Sequence, residues 1–457
     1  MRSGPRSFAR LSVMAVLALV GCSSASHPVT TGNGDAGGDG ALHDATQPFD
    51  GPHGDGSTLD ARDAPTLGDA EKESGVPPPD AAGEAAAGDT GTHDAGRDSA
   101  VPDAGKEAGV DAGPPALRYI GRTLTDGTSP DGNGNCTAMT PCYEWSGTQV
   151  VARFTGATDF SLSMADYGSY FDVYVDGVLQ ASPVIGSESQ SDYPLASGLT
   201  ASATHEVSLY KRTEASSNGR TQILGYSFPT GGTLLPPAAP SGRRIEVIGD
   251  SISCGYGVLG PDATCTETSA YEDHDDTYGA ITARSLDADL YTIASSGRGM
   301  YRNNDDTTTG TLPDIYGLTL PYGDGAGGFW LSQWDFTSFI PDVVVIDLGT
   351  NDFYEGDPGT AYETTYVTFL MRVLSDYPNA WIFCTNGPML SGASYTSAQT
   401  YIQSAVATIA SPRVTYLAYP TQSQDAGAEG CDGHPKPATQ QAMATQLTAA
   451  IKTALGW

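Results

Sequence analysis

The chain has 457 residues, with 54 acidic against 22 basic side chains and a formal charge of −32. A field of that sign repels nucleic acid and anionic lipid headgroups, which excludes recognition of either through a basic surface and suits action on a neutral substrate.

In chain order, Arg2, Arg6 and Arg10 precede an apolar run from Leu11 to Val20. The run is too short to cross a bilayer as a helix and has the layout of an export leader. It ends in Leu19-Val20-Gly21-Cys22, followed by Ser23 and Ser24. This resembles a bacterial lipobox, which implies a signal over 1–22, lipidation at Cys22, and an exported chain anchored at the outer membrane or cell surface. Residues 23–116 are rich in Gly, Ala, Asp and Pro, with 18 acidic and 4 basic side chains between Ser23 and Pro115. Phrases such as Asp94-Ala95-Gly96 and Asp103-Ala104-Gly105 recur there without a fixed period. So few large apolar residues cannot offset the entropy of ordering, which predicts a disordered linker with a reach of about 50 Å.

Over 117–238 the pattern changes to short alternating runs. Val150–Phe154, Phe160–Met164, Tyr170–Val175 and His205–Tyr210 have strand character, and Asp176-Gly177 is a hairpin signal. These features predict an antiparallel β-sandwich. The segment Leu235-Pro236-Pro237-Ala238-Ala239-Pro240 marks a boundary.

Over 239–457 strands and helices alternate. Apolar runs at Ile245–Ile248, Leu290–Ala294, Val343–Leu348, Trp381–Cys384 and Val414–Leu417 are separated by helical patterns near 276–287, 360–376, 397–409 and 437–455. Strands apolar throughout, each followed by a helix, predict an α/β domain whose five-stranded parallel sheet is covered on both faces. Ligands in such sheets bind at the carboxyl ends of the strands.

Six cysteines follow Cys22, and an even number in an exported chain predicts disulfides, although six allow fifteen connectivities. Sequence proximity favours Cys136–Cys142 and Cys254–Cys265, leaving Cys384 with Cys431. The spacings do not match a zinc site, and no metal or organic cofactor is expected.

The first strand of the α/β domain runs directly into Gly249-Asp250-Ser251. A serine there lies where substrate binds, with backbone amides available to a developing oxyanion. No Gly-x-Ser-x-Gly elbow is present. A serine nucleophile needs a base, and this domain offers two imidazoles: His274 in an acidic loop, and His434 in Gly433-His434-Pro435 just before the last helix. His274 is expected to be exposed or packed, and His434 to be the base.

Asp250-Ser251, Gly297 within Ser295-Ser296-Gly297-Arg298-Gly299, Gly349-Thr350-Asn351-Asp352 and His434-Pro435 occur in the order and spacing of the four blocks of the SGNH/GDSL hydrolases. That resemblance implies a flavodoxin-like fold and an oxyanion hole formed by the Ser251 amide, the Gly297 amide and the Asn351 side chain. The longer phrase Gly249–Val258, the segment Trp334–Ile346, and the sandwich phrases Tyr143–Gly147 and Lys211–Glu214 resemble the family-two carbohydrate esterases. Such enzymes join a jelly-roll to an SGNH domain and remove O-acetyl groups from xylan or glucomannan. The resemblance therefore implies acetylated polysaccharide or oligosaccharide as the substrate. Rival readings are an SGNH lipase or thioesterase, and a surface carbohydrate-binding protein without turnover.

One departure concerns the base. The usual aspartate three residues before the histidine is replaced by Cys431, and Asp432 stands only two before it. The orienter of His434 is thus either Asp432 or a backbone carbonyl. Tyr256, Trp330 and Trp334 are candidates for the wall of a sugar-facing cleft, since aromatic faces pack against pyranose rings.

Overall fold

The structure, a computed structural model, describes residues 116–128, 135–187, 191–215, 220–322, 332–423 and 427–457. The expected leader with Cys22, the expected linker up to 115, and Trp330 lie outside these residues.

The first half is a sandwich of two antiparallel sheets. Its strands are β1 (Arg118–Ile120), β2 (Leu124–Asp126), β3 (Thr137–Tyr143), β4 (Gln149–Thr155), β5 (Phe160–Ala165), β6 (Tyr170–Val175), β7 (Val178–Leu179), β8 (Val184–Ile185), β9 (Asp192–Ala196), β10 (Thr204–Lys211), β11 (Thr221–Ser227) and β12 (Thr233–Leu234). One sheet has the order β1-β4-β10-β6-β7, with β12 beside β4 and β8 beside β6; the other runs β2-β3-β11-β5-β9. Period-two patterning sets the faces: in β5, Phe160, Leu162 and Met164 are buried and alternate with partly exposed Ser161, Ser163 and Ala165. Phe154, Phe160, Val173, Leu209 and Ile223 belong to the core between the sheets. Asp176 and Gly177 both take positive φ, 50° and 76°, which closes the β6–β7 hairpin.

The second half is a parallel sheet of β13 (Arg244–Gly249), β14 (Asp289–Ala294), β15 (Val343–Asp347), β16 (Trp381–Asn386) and β17 (Val414–Ala418), in the order β14-β13-β15-β16-β17. Its helices are α1 (Ser251–Cys254), α2 (Tyr278–Leu286), α3 (Leu312–Ile315), α4 (Thr360–Asp376), α5 (Gly392–Ile409) and α6 (Pro437–Leu455). Both sheet faces are covered, which is why the strands are apolar without alternation. Ile245, Val247, Val343 and Val345 pack with residues of α2 and α6, whereas Ile248, Val344 and Ile346 pack with residues of α4 and α5. The strand order reverses direction between β13 and β15, so a crevice opens above their carboxyl ends.

The two halves share a buried seam. Trp145, from the sandwich, is 1% exposed and belongs to the core on the α4–α5 face of the parallel sheet. Arg122 inserts beside it: its guanidinium donates to the Tyr316 carbonyl, to Leu318 O at 3.0 Å, and lies 3.5 Å from Glu246 Oε2 on β13. Glu246 also accepts from the hydroxyls of Tyr316 (2.7 Å) and Tyr377 (3.2 Å). His274 is fully buried in the same seam, between the Tyr210 hydroxyl (2.6 Å from Nδ1) and Thr292 Oγ1 (2.9 Å from Nε2). Burial pushes it down to about 3, so it is a neutral packing residue. Gly147 lies against that ring with φ +74°, and a Cβ there would stand 2.4 Å from His274 Cε1.

Removing Arg122 would leave the Glu246 carboxylate buried without its cation. Arg122→Ala is expected to cost about 3–5 kcal/mol of stability in urea denaturation, and a loss below about 1 kcal/mol would show that the pair is dispensable.

Candidate active site

The crevice collects one residue from each of four chain segments. Ser251 opens α1 directly after β13, Gly297 lies in the turn after β14, Asn351 follows β15, and His434 stands between β17 and α6. With Tyr256, Ser296, Asn304, Thr350, Tyr354, Met389 and Asp432 they line a cleft of about 560 Å³. That volume is in the ordinary range for small-ligand sites.

His434 Nε2 is 2.8 Å from Ser251 Oγ, and Nδ1 is 3.2 Å from the Cys431 carbonyl. A carbonyl only accepts, so the Nδ1 proton is placed and Nε2 is left with a lone pair for the serine hydroxyl. Asp432 does not share this geometry. Its Oδ2 accepts the Tyr256 hydroxyl at 2.9 Å and faces the Glu267 amide at 3.4 Å. Its charge acts on the imidazole only through space. Burial pushes His434 down to about 4, against the upward pull of the Cys431 carbonyl and the Asp432 charge. The ring is therefore neutral, and competent as a base, well below the usual histidine range.

Cys431 sits in the position usually taken by an aspartate and has a different job. It forms a disulfide with Cys265, and Cys254 and Cys384 are free and buried. The Cys136–Cys142 bridge is present as sequence proximity suggests, but the pairings Cys254–Cys265 and Cys384–Cys431 are not. Proximity misleads because the loop after α1 leaves the helix through Gly255, at φ 84°, and runs against the 430–432 loop. There Cys431 N donates to Gly257 O at 3.1 Å and Asp432 N to Cys265 O at 3.2 Å. Cys384 points instead into the core beneath β16. The disulfide and these backbone bonds hold the Cys431 carbonyl that orients His434.

Three neutral donors belong to residues that line the crevice. The amides of Ser251 and Gly297 donate to no other group among the described residues. Asn351 Nδ2 donates to Arg298 O at 2.8 Å and, over a longer 3.4 Å, to Asp250 Oδ2, so an incoming oxygen has only the weaker of the two bonds to displace. Asp250 caps α1 by accepting from Ile252 N. Burial, and then the neighbouring Asp347 carboxylate, push Asp250 well up. Gly297 has φ +76°, and a Cβ would meet Asn304 Oδ1 at 3.0 Å, so glycine is required at this turn.

Among the expected cleft residues, Tyr256 is in place, its ring centroid 4.4 Å from that of His434. Trp334 is not: it packs on Tyr291 (6.0 Å) and Arg122 (5.2 Å) at the seam between the halves. Two residues escaped the sequence reading. Tyr354, 73% exposed at the cleft, carries no motif signal. Asp352 was visible only as the neighbour of Asn351; its carboxylate accepts the amides of Met300 (2.8 Å), Tyr301 (2.7 Å) and Arg302 (3.0 Å), pinning the loop beyond Gly297.

Residues 135–238 match the family described as Carbohydrate esterase 2 N-terminal, and 247–442 match the GDSL-like Lipase/Acylhydrolase family. The chain is 34% identical over 262 residues to an acetylxylan esterase / glucomannan deacetylase of Cellvibrio japonicus, covering 56% of this chain and 69% of that protein. The chain belongs to the family-two carbohydrate esterases. Members of this family are carboxylic ester hydrolases. It is also 38% identical over 348 residues to the cellulase/esterase CelE of Acetivibrio thermocellus, covering 75% of this chain but only 40% of that longer protein. A solved family-two carbohydrate esterase from Clostridium thermocellum, in complex with cellohexaose, superposes with a TM-score of 0.66 at 37% identity, covering 75% of this chain and all of that one.

Because the orienting acceptor is a carbonyl, Asp432→Asn, which tolerates the positive φ of 52° there, is expected to keep kcat within about threefold. A loss of 100-fold or more would put the carboxylate in the proton relay. Protonation removes the Nε2 lone pair, so kcat/KM is expected to fall as pH drops through about 4 and to be level above about pH 6. An acid limb centred on the ordinary histidine value would contradict the buried, neutral imidazole.

Proposed function

We propose that this protein hydrolyses O-acetyl esters on polysaccharides of the xylan or glucomannan type, with Ser251 as nucleophile and His434 as base. The observation that carries the reading is the 2.8 Å Ser251–His434 contact beside three neutral hydrogen-bond donors. The deacetylase activity named for its Cellvibrio relative supports the acetylated substrate.

Ser251 Oγ forms a bond to the acetyl carbonyl carbon while its proton passes to His434 Nε2. The carbonyl electron pair moves onto oxygen, and the amides of Ser251 and Gly297 with Asn351 Nδ2 stabilise that oxyanion. The tetrahedral intermediate then breaks its bond to the sugar oxygen, which takes the proton from Nε2, leaving acetyl-Ser251. Water attacks this ester, giving a proton to Nε2. Collapse releases acetate and returns that proton to Ser251 Oγ. The Cys431 carbonyl stabilises the transient imidazolium less than a carboxylate would, and the through-space charge of Asp432 partly offsets this. Tyr256 and Tyr354 offer aromatic faces at the rim for pyranose rings.

Acetate release from acetylated xylan and glucomannan, with 4-nitrophenyl esters of increasing chain length, tests the reading. Short acyl groups are expected to be preferred, and Ser251→Ala to lose at least about 1,000-fold in kcat. Equal acetate release by wild type and Ser251→Ala, or a preference for long acyl chains, would overturn it.

A further inference from the structure

The turn that carries Gly297 is held from the sandwich. β10 ends at Lys211 and the chain runs on through Arg212-Thr213-Glu214, where Glu214 is 2% exposed. Its Oε2 accepts the Ser296 amide proton at 2.7 Å and is 3.5 Å from the Cys254 thiol. Ser296 immediately precedes Gly297, and Cys254 is the last residue of α1, the helix that begins with Ser251. A single carboxylate oxygen from the sandwich thus ties the nucleophile's helix to the turn bearing an oxyanion donor. Burial pushes the Cys254 thiol well up, so it stays protonated and donates.

The backbone that carries this carboxylate is itself fixed. Lys211, fully buried, donates to the carbonyls of Thr213 (2.7 Å) and Glu214 (3.4 Å), and the Glu214 amide donates to Glu272 Oε1 at 2.8 Å. A second sandwich carboxylate works on the same turn. Glu144 accepts the Tyr322 amide proton at 2.8 Å, and the Tyr322 hydroxyl is 2.6 Å from Ser295 Oγ. On its far side the turn is closed by Asn304 N donating to Gly297 O at 2.9 Å. With Ser296 N and Gly297 O both anchored, the peptide groups on either side of the one that presents the Gly297 amide are held in place.

We propose that Glu214 is a positioning residue for the oxyanion hole, so that the sandwich supplies part of the ester-hydrolysis machinery. This rests on the reading of the cleft as an esterase site. An oxyanion donor is useful only within a few tenths of an ångström of its target, and a misplacement of about 1 Å costs on the order of 100-fold in rate. Glu214 touches no reacting atom, and its loss is expected in kcat rather than in KM.

The test measures 4-nitrophenyl acetate hydrolysis by the full chain, with kcat expressed per Ser251 site titrated to completion with a fluorophosphonate, and Tm measured alongside. Glu214→Ala is expected to lose about 100-fold in kcat per titrated site with KM within about threefold. Glu214→Gln keeps an oxygen acceptor for the Ser296 amide and is expected to stay within about fivefold of wild type. If Glu214→Ala does not fold, Glu214→Asp, its carboxylate withdrawn by one methylene, carries the comparison with Glu214→Gln and is expected to lose at least about tenfold. Wild-type kcat per titrated site in Glu214→Ala, or in Glu214→Asp should it be needed, overturns the proposal, as does a Glu214→Gln variant as impaired as either. Ser251→Ala in the same assay separates the two readings. If it is inactive while Glu214→Ala is fully active, only the positioning role fails; if it remains active, the esterase reading itself fails.

Discussion

A buried carboxylate on the strand that leads to Ser251, the proposed nucleophile, constrains the whole molecule. Glu246 lies in the middle of β13, fully buried, five residues before Ser251. A charge in that position needs a cation and hydrogen bonds, because desolvation of an unpaired carboxylate costs several kcal/mol. The α/β half supplies two tyrosine hydroxyls, and among the described residues the only guanidinium in contact comes from Arg122 of the sandwich. The half that carries the serine is therefore not electrostatically complete alone. Trp145, His274 and Glu214 repeat the pattern along the same seam, each buried and each satisfied across the boundary between the halves.

The same economy of charge governs the cleft. Ser251, His434 and Asn351 are each less than 10% exposed, in surroundings that disfavour ions. The histidine is kept neutral by burial and oriented by a carbonyl, Asp250 is pushed toward its neutral form, and the three donors carry no charge. In the proposed reaction the developing charge would thus be the dominant new field in the site, next to neutral donors. The carbonyl gives less to the imidazolium than a carboxylate would, and the Cys265–Cys431 bridge contributes rigidity where charge is absent.

Much of this could be read from the chain alone. The five apolar runs became β13–β17 with little change of boundary, because strands buried on both faces must be apolar throughout and their helices must show a period of three to four. Four sandwich strands, β4, β5, β6 and β10, were legible for the opposite reason, one buried face giving an alternation that is strict in β5. Ser251, Gly297, Asn351 and His434 were legible because each sits at a local break: a strand end, a glycine at positive φ, or a residue just before the last helix.

Sequence therefore determined the order of elements, the strand faces and the identity of the residues gathered at the carboxyl ends of the parallel sheet. It did so because period, turn chemistry and strand ends are local properties of the chain. Only the tertiary structure decided what those residues touch across 80 or more positions. It set Cys265 against Cys431, sent Asp432 to Tyr256 and Trp334 to the seam, and brought Glu214 behind Ser296. Such contacts depend on how loops return over the sheet and on which buried charges must be matched, and neither leaves a periodic trace in the sequence.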